Sequence, residues 1–315
     1  MAMVAARSGV SGQTVSRVVN DSPRVDPATR ERVERAMAEL GYRPHRAARA
    51  LRTGRSQTIG LVVTTLATVG NSRMLQATAE AAAERGYALT LVTASADIGE
   101  AFERLAEQEV DGAIVLNEAS ARISGATRPP GLRLVAVDAE PGDGVIAVHS
   151  DHAGGAAAAT RHLLALDRGA VHHLAGPVDS FAAAQRERGW REALAAAGVT
   201  APDVVRGDWT AEAGYGAGRL LADATAVFCA NDQMALGVLR AFAETGRRVP
   251  EDVAVIGFDD VPDAANYRPP LTTVRQDFTT LAHRAVQALI AEIEGADSRT
   301  EADVIPTSLV VRGSA

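Results

Sequence analysis

The chain contains no lysine, and all 32 of its basic residues are arginine. That removes a P-loop lysine, a Schiff-base lysine and a lysine general base. It has one cysteine, Cys229, which excludes an internal disulfide and fits a reducing cytoplasm. No stretch reaches the ~18 uncharged apolar residues of a membrane span. Arg7 and the polar run from Ser11 to Ser16 interrupt any leader-like segment. No nucleophile-elbow pattern occurs. His172 and His173 adjoin in an expected strand, point to opposite faces and make a poor metal pair. The run Gly214-Tyr215-Gly216-Ala217-Gly218 follows no convincing strand and reads as a loose helix. No cofactor, metal site, membrane segment or enzymatic activity is expected.

What is present begins with an uneven charge. Residues 1–58 hold eleven arginines against five acids, a surplus of six, while the remainder holds 21 arginines against 34 acids, a deficit of 13. A small basic head on a large acidic body suggests a polyanion-binding module joined to a separate domain. With 315 residues, 47% of them hydrophobic, the chain can build more than one core.

The head reads as short helices. Val4, Ala5 and Ala6 end a first helix, and Arg7-Ser8-Gly9-Val10 makes a tight turn in which Gly9 can take a positive φ. Ser11 can cap a second helix, Gly12 to Val19, whose Val15, Val18 and Val19 face inward. That is a helix-turn-helix, with the second helix in the major groove and Gln13, Thr14, Ser16 and Arg17 on its polar faces. Arginine suits guanine and glutamine suits adenine. Asp26 and Pro27 open a third helix with an apolar stripe of Val33, Ala36, Met37 and Leu40. Gly41 and Pro44 end it. Residues 45–58 form a linker.

Val4-Ala5-Ala6-Arg7-Ser8-Gly9-Val10-Ser11, then Thr14-Val15-Ser16-Arg17-Val18-Val19-Asn20, resembles the head of the LacI/GalR family of transcriptional regulators. So do Thr29-Arg30-Glu31-Arg32-Val33 and Ala38 to Pro44. The resemblance implies DNA contacts by Ser11, Gln13, Thr14, Ser16, Arg17, Asn20 and Thr29. It also implies a hinge helix at 45–56 that forms on the operator, with Leu51 wedged into a central minor-groove step. Gly12 stands where the family's namesake repressor carries a base-reading tyrosine, so a different operator is expected. Met1 falls inside the first-helix pattern, so a misassigned start is expected, with a fraying first helix as the alternative.

The body alternates apolar runs with helical patterns. Strands are expected at 59–63, 87–92, 113–116, 134–137, 170–174, 204–205, 226–229 and 253–258. Helices are expected at 74–85, 101–108, 153–165, 182–197, 211–222 and 233–244. Continuous apolar strands between helices imply parallel sheets covered on both faces. The expected class is α/β, with a helix-turn-helix head and a two-lobed, doubly wound core like that of periplasmic binding proteins. The expected limits are 1–44 for the head, 59–148 with 277–315 for one lobe and 149–276 for the other. Ligands then bind at the carboxyl ends of strands, in the cleft.

The body resembles the same family at Gly207-Asp208-Trp209, at Ala230 to Gly237, from Gly257 through Pro269-Pro270 to Phe278, and at Ser308-Leu309-Val310. Asp138 follows a strand and can accept from sugar hydroxyls. Arg186 matches the family arginine and can clamp vicinal hydroxyls. Asn231 can cap a helix, bind ligand or do both. Asp259 is the ligand acid and Asp260 structural. By resemblance Thr64 and Gln276 face the cleft, Trp209 stacks on a pyranose and Phe278 adds an apolar wall. Trp190 and Cys229 read as core. A galactoside is the implied effector.

The leucine-rich tetramer tail of the family's namesake repressor is not matched, so a homodimer on a pseudo-palindromic operator, cytoplasmic and nucleoid-associated, is expected. Sugar would then disfavour the DNA-competent dimer. A corepressor sign, or a sugar-binding protein without regulation, is the alternative.

Overall fold

A computed structural model describes residues 1–19, 22–42, 54–142, 144–295 and 302–315. The chain divides into two compact units, 1–56 and 57–315.

The first unit holds three helices, α1 (Ala2–Ser8), α2 (Gly12–Val19) and α3 (Pro27–Glu39). Gly9 ends α1 at φ 67°, in the left-handed region glycine tolerates. Ser11 Oγ accepts from the Thr14 amide at 3.1 Å, and the Asp26 carboxylate accepts from the Thr29 amide at 3.0 Å. Both are N-caps. Val4, Val15, Val18, Val33 and Ala36 form the small core, and an exposed Arg7–Glu39 ion pair ties α1 to α3. Leu40 departs from the expected stripe. The helix stops at Glu39, so Leu40 becomes the C-cap and is 40% exposed.

The second unit has two lobes, each built on a six-stranded sheet. Lobe A contains β1 (Thr58–Val63), β2 (Ala88–Thr93), β3 (Gly112–Leu116), β4 (Arg133–Val137), β5 (Ile146–Ser150) and β11 (Asp303–Ile305). They lie in the order β11-β5-β4-β3-β1-β2, all parallel. Helices α4 (Val69–Glu84) and α10 (Phe278–Glu294) cover one face, and α5 (Ile98–Glu107) the other. Strand β1 shows why a buried strand reads as a continuous apolar run: Ile59, Leu61 and Val63 meet α4 and α10, while Val62 meets α5.

Lobe B contains β6 (Val171–Ala175), β7 (Val205–Arg206), β8 (Ala226–Cys229), β9 (Ala254–Asp259), β10 (Thr272–Arg275) and β12 (Ser308–Val310). Their order is β12-β10-β9-β8-β6-β7. Helices α6 (His152–Leu164) and α7 (Phe181–Ala196) pack on one face. Helices α8 (Ala211–Leu220) and α9 (Asp232–Glu244) pack on the other. Trp190 is fully buried with its indole N–H on the Val171 carbonyl at 3.0 Å, and Cys229 is buried too.

Two expectations need correction. The chain passes between lobes three times, after β5, after β10 and between β11 and β12, so residues 308–315 return to lobe B instead of staying with 277–305. Strand β12 runs antiparallel to β10, a mixed edge on an otherwise parallel sheet. Three-residue strands are too short to carry a pattern that says which sheet they will join.

Candidate functional site

The carboxyl ends of strands from both lobes converge on a small cavity, the place where ligands bind in two-lobed open-sheet folds. Its lining includes Asp138, Arg186, Trp209, Asn231, Asp259, Gln276 and Phe278, seven of the eight expected ligand residues. Four lining residues carry positive φ: Asn117 at 48°, Asp138 at 55°, Trp209 at 74° and Asp259 at 115°. Asparagine and aspartate tolerate this region; tryptophan tolerates it poorly. Such conformations cost about 1–3 kcal/mol each and gather where a side chain must be aimed.

The polar half of the cavity is a buried network. Arg186, on α7, donates to the Ala230 carbonyl and to His152 Nδ1 at 3.3 Å, and lies 3.6 Å from Asp259. It also sits over the Phe258 ring at 3.9 Å and the Trp209 ring at 5.5 Å. His152 Nε2 lies 2.7 Å from Asp138 Oδ1. A guanidinium only donates, so Nδ1 of His152 accepts and its proton is on Nε2, facing Asp138. Burial drives the imidazole below its usual range, against the pull of Asp138. The contact is therefore a neutral imidazole donating to a carboxylate. Burial also pushes the Asp138 carboxyl up, but His152 and Arg186 outweigh it and hold it below its usual value. The balance is opposite at Asp259: burial raises it to about 6 despite Arg186 and a 2.6 Å hydrogen bond from Gln276 Nε2.

The other half is apolar. Trp209, 9% exposed, lies against Gly176 so closely that a Cβ there would be 2.3 Å from the indole. Asn231 Nδ2 donates to the Trp209 carbonyl at 3.0 Å while its Oδ1 caps α9 through the Met234 amide at 2.8 Å. Its capping role is thus realised, and it also fixes the backbone beneath the indole. Phe278 stands at the first position of α10, with Met74 and Leu281 beside it. A flat apolar wall opposite fixed acceptors and one guanidinium matches a pyranose, apolar on its C–H face and polar at its rim.

Thr64 is the expected residue that the lining does not include. Strand β1 ends at Val63, and residues 64–68 form a loop drawn in by Asn71, whose Nδ2 donates to the Thr65 carbonyl at 2.9 Å. Thr68 and Gly70 reach the cavity instead. Asp260 is structural, held by Arg275 at 2.7 Å and Arg312 at 2.5 Å. Sequence reasoning missed Asn117, Glu118 and His152. The first two directly follow β3, as Asp138 follows β4, so the same strand-end rule could have found them. His152 carries no comparable signal.

Several contacts join the lobes across the cleft besides Asp138–His152. The Trp209 indole N–H donates to Glu118 Oε1 at 2.9 Å. The Val69 amide donates to Gln233 Oε1 at 2.9 Å, and Gln185 Nε2 reaches Glu140 at 3.4 Å.

In the first unit, Gln13 and Arg17 lie exposed on α2, with Thr14 and Ser16 half-buried on the same helix. Ser11 is exposed and spends its hydroxyl on capping; Thr29 is half-buried and its Oγ1 accepts from Arg32 at 3.3 Å. Asn20, Leu51 and most of the expected hinge lie outside the described residues. Among the described residues there is no group of three His, Cys, Asp or Glu able to hold a metal ion. Nor, among them, is any helix long and apolar enough to cross a membrane.

Residues 1–45 match the model of bacterial regulatory proteins of the lacI family, and residues 160–315 that of the periplasmic binding protein-like domain. The chain is 38% identical to the HTH-type transcriptional regulator CelR of Thermobifida fusca, over 99% of this chain and 97% of that protein. It is 36% identical to the lactose operon repressor of Escherichia coli (strain K12), over 98% and 88%. Among solved structures it superposes on the lac repressor dimer bound to operator and the anti-inducer ONPF with a TM-score of 0.87, at 33% identity over 99% of this chain and 97% of that one. The CelR–cellobiose complex gives 0.73, at 35% identity over 99% and 98%.

Proposed function

The chain belongs to the LacI family of bacterial regulatory proteins, and on that premise we propose that a neutral hexose glycoside in the body's cleft controls how tightly the head binds its operator. At the family level the chain is a DNA-binding transcriptional repressor regulated by a sugar ligand, and it is not an enzyme. The observation that carries the proposal is the gathering of Asp138, Arg186, Asp259 and Gln276 opposite Trp209 and Phe278 in one cavity.

Two glycosides compete. The sequence suggests a galactoside. Cellobiose, a glucose disaccharide, is favoured by the match to CelR, whose solved complex contains it. Their non-reducing rings differ at the C4 hydroxyl, axial in galactose and equatorial in glucose, so one polar contact discriminates between those rings, and cellobiose adds a second glucose ring. Losing such a contact in a buried site is worth about 1–3 kcal/mol.

On the DNA side, two heads of a homodimer address the half-sites of a pseudo-palindromic operator. Gln13 and Arg17 read base edges, Ser11, Thr14, Ser16, Asn20 and Thr29 add contacts, and Leu51 wedges the centre. Sugar binding lowers operator affinity, because the ligand stabilises an arrangement of the lobes that disfavours the DNA-competent dimer.

Fluorescence anisotropy of a labelled duplex from upstream of the gene tests the proposal, at two salt concentrations, followed by methyl β-galactoside and cellobiose. Tight, salt-dependent binding released by one glycoside is the expected result. Tightening by the glycoside would reverse the sign to corepression. Binding indifferent to every neutral sugar would refute the ligand reading, and no binding would refute the DNA reading.

A further inference from the structure

We propose that Glu118 is a specificity-determining residue of this cleft: it aims the Trp209 ring and selects neutral, hydroxyl-rich ligands over anionic ones. The proposal rests on the reading of the cleft as a sugar site.

Glu118 stands in the short helical turn Asn117–Arg122 that follows β3, in lobe A. It lines the cavity and reaches across the cleft, where its Oε1 accepts the indole N–H of Trp209 at 2.9 Å. That N–H is the ring's only conventional hydrogen-bonding group, and a carboxylate acceptor makes the bond charge-assisted. Trp209 has Gly176 against one face of its ring, and Asn231 fixes its backbone. Glu118 removes the remaining freedom, rotation of the ring in its slot. The wall on which a sugar would stack therefore belongs to lobe B, but its angle is set from lobe A.

The second oxygen of Glu118, Oε2, has no hydrogen-bond partner among the described residues. A carboxylate offers about four acceptor sites and no donor. It therefore rewards a hydroxyl on the ligand and repels a second anion. Asp138, Asp259 and Glu118 together place three carboxyl groups around the cavity against one guanidinium, Arg186, which already engages Asp259, His152 and a backbone carbonyl. Phosphorylated sugars and uronates meet this surplus of carboxyl groups, and the other nearby cation, Arg73, lies over the Phe278 ring at 5.4 Å and is not part of the lining. Neutral glycosides find an acceptor.

Two substitutions separate the two roles, using the full-length chain. Glu118→Gln keeps a carbonyl oxygen for the indole N–H but removes the charge. Glu118→Ala removes both. Trp209 and Trp190 are the only tryptophans, and Trp190 is buried in the core of lobe B, so a change in emission that vanishes in a Trp209→Phe background belongs to Trp209. Equilibrium titrations with cellobiose, methyl β-galactoside, glucose 6-phosphate and glucuronate supply the affinities.

The expected result for Glu118→Ala is a shifted ligand-free emission and about tenfold weaker binding of the effective glycoside. The expected result for Glu118→Gln is unchanged ligand-free emission with the preference for neutral over anionic sugars narrowed about tenfold. Thermal midpoints near wild type certify folding. Glycoside affinity and neutral-to-anionic preference within twofold of wild type in both variants would overturn the selectivity role. Unchanged emission in Glu118→Ala would overturn the aiming role. If the wild type itself binds no sugar, the reading of the cleft fails while the emission still decides the aiming role.

Discussion

Replacing Asp259 with asparagine is expected to make the protein more stable and less able to bind sugar, with a stability gain that grows with pH. The Asp259 carboxyl is 6% exposed, and burial raises it from 3.8 to about 6, against the opposing effects of Arg186 and Gln276. Neighbouring Asp232 adds to the strain: burial, and then the Asp259 charge, hold its own carboxyl well above the ordinary value. The folded chain thus binds the Asp259 proton more tightly than the unfolded chain does. The stability linked to that proton is complete below about pH 3.8 and is lost as the pH rises through about 6. The full loss is about 3 kcal/mol, from about 1.4 kcal/mol per unit. Asparagine resembles the protonated form, still accepts from Gln276, and carries no such loss. Relative to wild type, Asp259→Asn should therefore gain about 2 kcal/mol more at about pH 7.5 than at about pH 4.5, since about a third of the penalty is already present at the lower value. Urea denaturation of the full-length chain at both pH values, followed by tryptophan emission, measures the difference. An equal effect at both pH values, or a greater loss of stability at the higher one, would show that the ion pair with Arg186 outweighs burial. Sugar affinity should fall at least about tenfold, because a charged acceptor is lost. Stability would then be traded for function at this position.

Three further outcomes are expected. Gly176→Ala places a Cβ 2.3 Å from the Trp209 indole, so the ring must move; glycoside affinity should drop about tenfold with a shift in Trp209 emission, and unchanged titrations would mean the ring is not the stacking wall. Arg17→Ala should weaken operator binding by about 1–3 kcal/mol and relax preference at one base pair, read by anisotropy across single-base operator variants; a uniform loss with only a shallower salt slope would make Arg17 a phosphate contact. Burial pushes the Cys229 thiol well up, so it should resist a thiol-specific chromogenic reagent in the folded chain and react fully in denaturant; rapid native labelling would contradict the buried strand.

The parts whose physics is local were legible from the residues alone. The basic head announced itself by charge, and its helices by their caps: Ser11, Asp26 and Pro27 do in the structure what such residues do at any helix start. The strands of the body were legible because a strand buried on both faces must be apolar throughout, and the rule that ligands sit at strand carboxyl ends singled out Asp138 and Asp259. Tertiary structure decided what depends on groups distant in the chain. Thr64 obeyed the strand-end rule and still fell outside the lining; the loop after β1 is tied at the Thr65 carbonyl to Asn71, and Thr68 and Gly70 line the cavity instead. Residues 308–315 crossed back to lobe B, since pairing partners for a three-residue strand are chosen by the sheet edge available. The proton on His152 follows from Arg186 and Asp138, 34 and 14 residues away, each leaving it a single role. Glu118 was hidden for the same reason: its partner is 91 residues away in the other lobe, and no local pattern encodes a hydrogen bond across a cleft.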